Sequence, residues 1–267
     1  MSVGLSGLNI GLLLGNASGG DNGILGILSG AGGGASATNP ITALGSAEVN
    51  GTKDIATTAK QPEVARDIAA FTKAVTGAKS VTQLLANPTV MKVLLTANGL
   101  GSQIPYTALA QKALASDLTD PKSVANQLKT TNSAWLSAAQ TYQFAAKGLS
   151  VIQSPSVIST IANAYAEVTW RNSLDTTVPG LSNALSFRSK AATVTSVDQI
   201  LGDPILRDVV TTALGLPRQI AIQPLSTQET AITSRLDLKQ LKDPKFVERF
   251  VQRYLLAKGS SGSSLVV

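Results

Sequence analysis

One stretch of this chain is written twice. VTQLLANPTVMKVLLTANGLGSQI, residues 81–104, aligns without a gap to VDQILGDPILRDVVTTALGLPRQI, residues 197–220, and eleven of the 24 aligned positions are identical. The register then shifts, and LTDPKSV at 118–124 matches LKDPKFV at 241–247. Similarity of that length marks a supersecondary unit used more than once. The two copies are therefore expected to fold alike.

Each copy reads as helix. Ser80 with Gln83, and Ser196 with Gln199, have the spacing of a capping box. Asn87-Pro88, Asp120-Pro121, Asp203-Pro204 and Asp243-Pro244 each set a side-chain acceptor before a proline. That is the grammar of an N-cap followed by a first helical residue whose missing N–H would be unpaired anyway. Val90, Val93, Leu94 and Ala97 recur at helical spacing, as do Leu206, Val209, Val210 and Ala213. Gly99 and Gly215 supply the left-handed residue that closes a helix, and Leu100 and Leu216 stand where they can cover its end.

The same pattern extends outward. Pro62 precedes Val64, Ile68 and Phe71, and Pro179 precedes Leu181, Leu185 and Phe187. Trp135, Ala139 and Tyr142 share one helix face; Ile158, Ile161, Tyr165 and Val168 form another apolar stripe. Strand-like alternation is sparse, and Ile220 to Leu225 is too short to classify. The expected fold class is all-α, a duplicated helical module occupying 51–147 and 148–258. A Gly-rich flexible segment, 1–50, is expected to precede it and a short flexible tail, 259–267, to follow. The join near Gly148 and Pro155 lacks the polar composition of a free linker, so the modules are expected to pack as one unit.

The first segment differs from the rest: twelve of the 23 glycines fall within the first 34 residues, and no Lys or Arg occurs before Lys53. Glycine loses the most backbone entropy on ordering, which argues against helix from Gly15 to Gly34. Leu5, Leu8 and Leu12 could fold against a partner, making the segment a candidate docking or export element. It holds no GxxxxGK[ST] phosphate loop.

Composition removes much chemistry. With no cysteine and no histidine there are no disulfides, no Cys/His zinc sites, no thiol nucleophiles and no histidine bases. No cofactor or metal site is expected. Asp198, Asp203 and Asp208 are the nearest carboxylate group, but Asp203 reads as an N-cap and Asp198 as a first-turn charge. Glu63 and Asp67, with Arg66 between them, read as a solvated helix face. Serines are common, yet neither a GxSxG elbow nor an SxxK motif occurs.

The net charge is +6, but the 22 basic residues are scattered and only 4% of residues are aromatic, so nucleic acid is not an expected partner. The best basic stretch is Lys239, Lys242, Lys245, Arg249 and Arg253, interleaved with Phe246, Val247, Phe250 and Val251. It reads as an amphipathic terminal helix or as a contact for an acidic protein or membrane surface. Trp135 and Trp170 read as core anchors or interface hot spots. No run of about 20 apolar residues is present, so no integral membrane segment is expected. No positive charge precedes the first apolar residues, against an ordinary secretory signal.

Several separated stretches also resemble the DUF1217 family, uncharacterised proteins often encoded among flagellar genes of alphaproteobacteria. They include QPEVARDIAAF at 61–71, KSVTQLLANP at 79–88 and ASDLTDPKSVANQL at 115–128. They continue with AYAEVTWRNSLDTTVPGLSNALSFRSKA at 164–191, TSVDQILGDPILRDVVTTALGLP at 195–217 and RLDLKQLKDPKFVERFVQRY at 235–254. The resemblance spans roughly residues 55 to 257. It implies a flagellum-associated role and supplies no catalytic residues; with no catalytic constellation in the sequence, the expected function is a non-enzymatic assembly, adaptor or accessory role with a protein partner. The expected location is cytoplasmic or flagellum-associated, with specialised export through the N-terminus left open. Two alternatives stand beside this: an anionic-surface binder using Lys242, Lys245, Arg249 and Arg253, and an enzyme with an unfamiliar carboxylate site.

Overall fold

Helix begins earlier than the Gly-rich composition implies. A computed structural model describes residues 39–261, and α1 occupies Pro40–Ala59. Residues 40–50 therefore belong to a helix, correcting the boundary at residue 50. The cause is local. Asn39 Oδ1 accepts from the Ile41 N–H at 2.9 Å, Pro40 stands at the first helical position, and Leu44, Ala47 and Gly51 form the buried side. Residues 1–38 and 262–267 lie outside the described residues, and with them the expectations placed on Leu5, Leu8 and Leu12. At the other end, residues 259–261, expected in a tail, continue the last helix.

The first half comprises α2 (Pro62–Gly77), α3 (Val81–Leu85), α4 (Pro88–Ala97), a 3-10 turn (Gly101–Gln103) and α5 (Thr107–Leu114). Then come α6 (Val124–Leu128), α7 (Ala134–Tyr142) and α8 (Phe144–Lys147), with α9 (Pro155–Leu174) leading out of it. The second half comprises α10 (Leu181–Ala191), α11 (Val197–Gly202), α12 (Pro204–Ala213), a 3-10 turn (Arg218–Ile222) and α13 (Leu225–Thr233). A third 3-10 turn (Leu238–Lys242) leads into α14 (Pro244–Ser261). The fold is all-α, and no strand occurs among the described residues.

Positions 116 residues apart do the same local work. Asn87 caps α4, accepting from Thr89 and Val90, and Asp203 caps α12, accepting from Ile205 and Leu206. Gly99 (φ +71°) and Gly215 (φ +66°) end these helices. Leu100 N–H reaches back to Leu95 O at 2.7 Å, and Leu216 N–H to Thr211 O at 2.9 Å, the six-residue closure of a Schellman motif. Ser196 and Gln199 form a complete capping box. In the first half Ser80 accepts from Gln83, but the Gln83 side chain accepts from Lys79 instead. One expected cap fails: Asp120-Pro121 opens a turn, and α6 starts only at Val124. The Asp120 carbonyl is engaged by Ser123 N–H and Asn126 Nδ2, so it does not begin a helical ladder.

Two apolar clusters lie within this one unit. In the first, α4 packs on both α2 and α9, burying Phe71, Val90, Val93, Leu94, Ile161 and Tyr165. In the second, α12 packs on both α10 and α14, burying Phe187, Leu206, Val209, Val210, Phe250 and Tyr254. The Phe187 and Phe250 rings stack at 5.6 Å. Each such side chain contributes about 1.5–3 kcal/mol of transfer free energy. α1 serves both: Leu44 is buried in the second cluster, while Ile55 and Ala59 pack against the first.

Candidate functional site

Two hydrogen-bonded hubs tie the helices together. Asp67 on α2 pairs with Lys92 on α4 at 2.7 Å and accepts from the Tyr165 hydroxyl of α9 at 2.5 Å. Glu63 adds a weaker, exposed contact to Lys92 at 3.3 Å. In the second half Asn183 on α10 donates to Asp208 on α12 at 3.0 Å. Asp208 also accepts from Tyr254 at 2.8 Å and from Lys258 at 2.9 Å, both on α14. Residues 67 and 183, and residues 92 and 208, are again 116 apart. The charge at the α4/α12 position is inverted, Lys92 against Asp208, and the partners are changed to suit.

The carboxyls of these hubs give up their protons readily and the tyrosines keep theirs. Burial disfavours the charge on Asp208, but hydrogen bonds from Lys258, Tyr254 and Asn183 outweigh it and keep the carboxyl below its ordinary range. Asp67 is lowered in the same way, burial being overcome by Lys92 and Tyr165. Burial and the Asp67 carboxylate push Tyr165 up to about 12. Burial and Asp208 push Tyr254 up as well. No group shown as shifted in either hub exchanges a proton near neutrality, which is what a general acid or base must do. Their geometry serves helix packing. The expectation that Glu63 and Asp67 form a solvated face holds for Glu63 and fails for Asp67, which is partly buried and bonded to both Lys92 and Tyr165.

An open groove of about 360 Å³ lies between the end of α2 and the α3–α4 junction. Ala70, Ala74, Gly77 and Leu84 give it apolar walls, with Lys73, Gln83 and Asn87 contributing the polar ones. Behind it, Gln153 donates to Val75 O and Ala78 O at 3.0 and 3.1 Å, fixing the end of α2. At the positions equivalent to Ala74 and Asn87, the second half carries Lys190 and Asp203, which form an ion pair at 2.7 Å. The two halves thus differ at this junction.

The outer surface carries a second repeated feature, and the sequence reading missed it. Tyr106 is 60% exposed and Leu109 38%; 116 residues later Ile222 is 83% exposed and Leu225 56%. Tyr106 precedes α5 and Leu109 lies within it, whereas Ile222 closes its 3-10 turn and Leu225 opens α13. Solitary exposed apolar residues are ordinary on protein surfaces. Here an exposed apolar pair recurs at aligned positions 116 residues apart, on the approach to or start of a helix each time. Continuing the gapless alignment five residues, IPYTAL against IAIQPL, brings these pairs into register.

Of the residues expected to make contacts, Trp135 and Trp170 are only 3% and 8% exposed, so neither presents a surface to a partner. Trp135 belongs to the first cluster. Trp170 covers Gly51 of α1, where an added Cβ would sit 3.2 Å from the indole. Lys242, Lys245, Arg249 and Arg253 are exposed along the third 3-10 turn and α14, while Val247, Phe250 and Val251 face inward. Among the described residues no group of three carboxylates is arranged to hold a metal ion. Nor, among them, is any helix long and apolar enough to cross a membrane.

The class these features define is an all-helical protein with internally satisfied charge networks and its free chemistry on the outer faces. The chain belongs to the DUF1217 family, described as a protein of unknown function, whose model matches residues 97–247. Its structure is similar to the crystal structure of protein AGR_C_984 from Agrobacterium tumefaciens, with a TM-score of 0.69 and 22% identity. The match covers 86% of this chain and 98% of that one, and it establishes the fold. No curated protein matches the chain.

Proposed function

We propose that this protein is a non-enzymatic accessory or assembly protein that works by protein–protein contact, in a flagellum-associated setting. The observation that carries the contact reading is the exposed apolar pair set at equivalent places in both halves, Tyr106 with Leu109 and Ile222 with Leu225. Paired apolar side chains held on a rigid helical frame are suited to anchor in a partner's pockets at low entropic cost. The hubs support the same reading, because the shifted ionisable groups they hold serve helix packing and are fixed in charge near neutrality. The flagellar setting rests on the family resemblance alone.

The test is affinity capture of the full-length protein from its native cells, beside a variant carrying Tyr106→Ser, Leu109→Ser, Ile222→Ser and Leu225→Ser. Recovery of flagellar components by the wild type, lost in the variant, is the expected outcome. Equal recovery by both would remove the apolar pairs from the account. Recovery of no flagellar component by the wild type would end the flagellar assignment. A third sample lacking residues 1–38 measures the share of Leu5, Leu8 and Leu12.

A further inference from the structure

We propose that the strip running from Arg235 through Arg253 is a docking face for an acidic protein segment. The inference goes beyond the reading above, since it needs neither the apolar pairs nor a flagellar partner. Arg235, Lys239, Lys242, Lys245, Arg249 and Arg253 are all exposed. None of the six takes part in an ion pair among the described residues, whereas Lys92, Arg171, Arg188, Lys190 and Lys258 all do.

The nearby carboxylates are committed elsewhere. Asp237 Oδ1 accepts from Lys239 N–H and Asp243 Oδ1 from Lys245 N–H, each at 2.9 Å, so both cap the helical turns that follow them. Glu248 lies close enough to Glu48 of α1 to raise its pKa, on the side of α14 that meets α1. Six cations against three carboxylates leave residues 235–253 with a net +3, half of the chain's +6.

Geometry makes this charge a strip. Lys245, Arg249 and Arg253 recur every four residues, one row about 12 Å long at the rise of an α-helix. Lys239 and Lys242 are three apart in a 3-10 turn, where side chains eclipse and share an edge. Neighbouring charges in the row are closer than the Debye length of about 8 Å at physiological ionic strength, so they act together. Arg253 is steadied over the Phe250 ring at 5.4 Å. Two of the row's three members are arginines, whose planar guanidinium matches a carboxylate with two parallel hydrogen bonds.

The same geometry disfavours other anions. An interfacial helix needs a free apolar face to sink among acyl chains. Here Val247, Phe250, Val251, Tyr254 and Leu255 are already buried in the second cluster. Stacking on bases needs exposed aromatic rings, and Phe250 and Tyr254 are buried.

The experiment titrates full-length protein into a fluorescein-labelled glutamate-rich 12-residue peptide, with phosphatidylglycerol vesicles and duplex DNA as parallel probes. Binding to the peptide should weaken steeply with added salt. The variant Lys242→Glu, Lys245→Glu, Arg249→Glu should lose about tenfold or more in affinity. A control of identical net charge, Lys53→Glu, Lys60→Glu, Lys147→Glu, alters exposed cations on α1, at its C-cap and on α8, and should stay within about twofold of wild type. Thermal melts confirm that both variants fold. Equal weakening by both variants, or no peptide binding at low salt, overturns the proposal. So does strip-dependent capture by vesicles or DNA that exceeds capture by the peptide.

Discussion

Replacing Gly180 by alanine tests the second hub and the helix beside it in one step. Gly180 sits just before α10 with φ +89°, a conformation that L residues seldom adopt. An added Cβ would stand 2.8 Å from the Tyr254 hydroxyl, 3.1 Å from its ring and 3.2 Å from the Lys258 side chain. Tyr254 cannot swing aside, because it is fully buried and bonded to Asp208 at 2.8 Å. The left-handed backbone alone costs about 1–2 kcal/mol for a residue with a Cβ, and overpacking a tight site adds about 1–3 kcal/mol. Gly180→Ala should therefore lose about 3 kcal/mol. At this chain size that lowers the melting midpoint by about 6–12 °C.

Gly99 provides the control. Its φ is +71°, yet an added Cβ would meet nothing within 4 Å. Gly99→Ala should show the backbone cost alone, about 1 kcal/mol. The assay is urea unfolding followed at 222 nm for both variants and for Gly180→Ala combined with Tyr254→Phe. Removing the hydroxyl in the double variant should recover part of the loss. If Gly180→Ala costs no more than Gly99→Ala, the close approach of Tyr254 to this turn is refuted.

Three further outcomes are expected. The folded pKa values of Asp67 and Asp208 lie below the unfolded value near 3.8, so their contribution is present above that value and is lost as pH falls through the lower folded ones. Thermal melts of Asp208→Asn should thus lose less stability than wild type on acidification below about pH 4. In α1, Gly45→Ala should stabilise by about 0.5–1 kcal/mol through helix propensity, because nothing lies within 4 Å of its Cβ position. Gly51→Val, against Trp170, should instead cost about 1–3 kcal/mol, and urea titration followed by tryptophan fluorescence separates the two.

Helix ends were the most legible part of this fold, because a cap is an agreement among neighbouring residues. Asn87, Asp203, Gly99 and Gly215 needed no knowledge of what lay across the core. The same grammar stands at Asn39-Pro40, but the glycines before it drew the boundary eleven residues too late. Asp120-Pro121 shows the converse: a side chain as distant as Asn126 can claim the carbonyl on which a helix would have grown. The hubs could not be read at all. Tyr165 lies 98 residues from Asp67, and Tyr254 46 from Asp208, so only the packed helices bring them together. The exposed apolar pairs were within reach of the repeat itself, in the five residues after the alignment stopped.

The double attachment of α1 also bears on how the chain is made. Leu44 is synthesised early, yet its cluster contains Val247, Phe250, Val251 and Leu255. The first cluster can assemble from residues 64–166 while translation continues. The start of α1 must wait for α14 to leave the ribosome, some 200 residues later. That closure has a long loop to bring together and belongs among the slow steps of folding. Until it occurs, a newly made chain displays Leu44 and the open face of α10 together, a surface that a chaperone, or a second unfinished chain, can reach before α14 does.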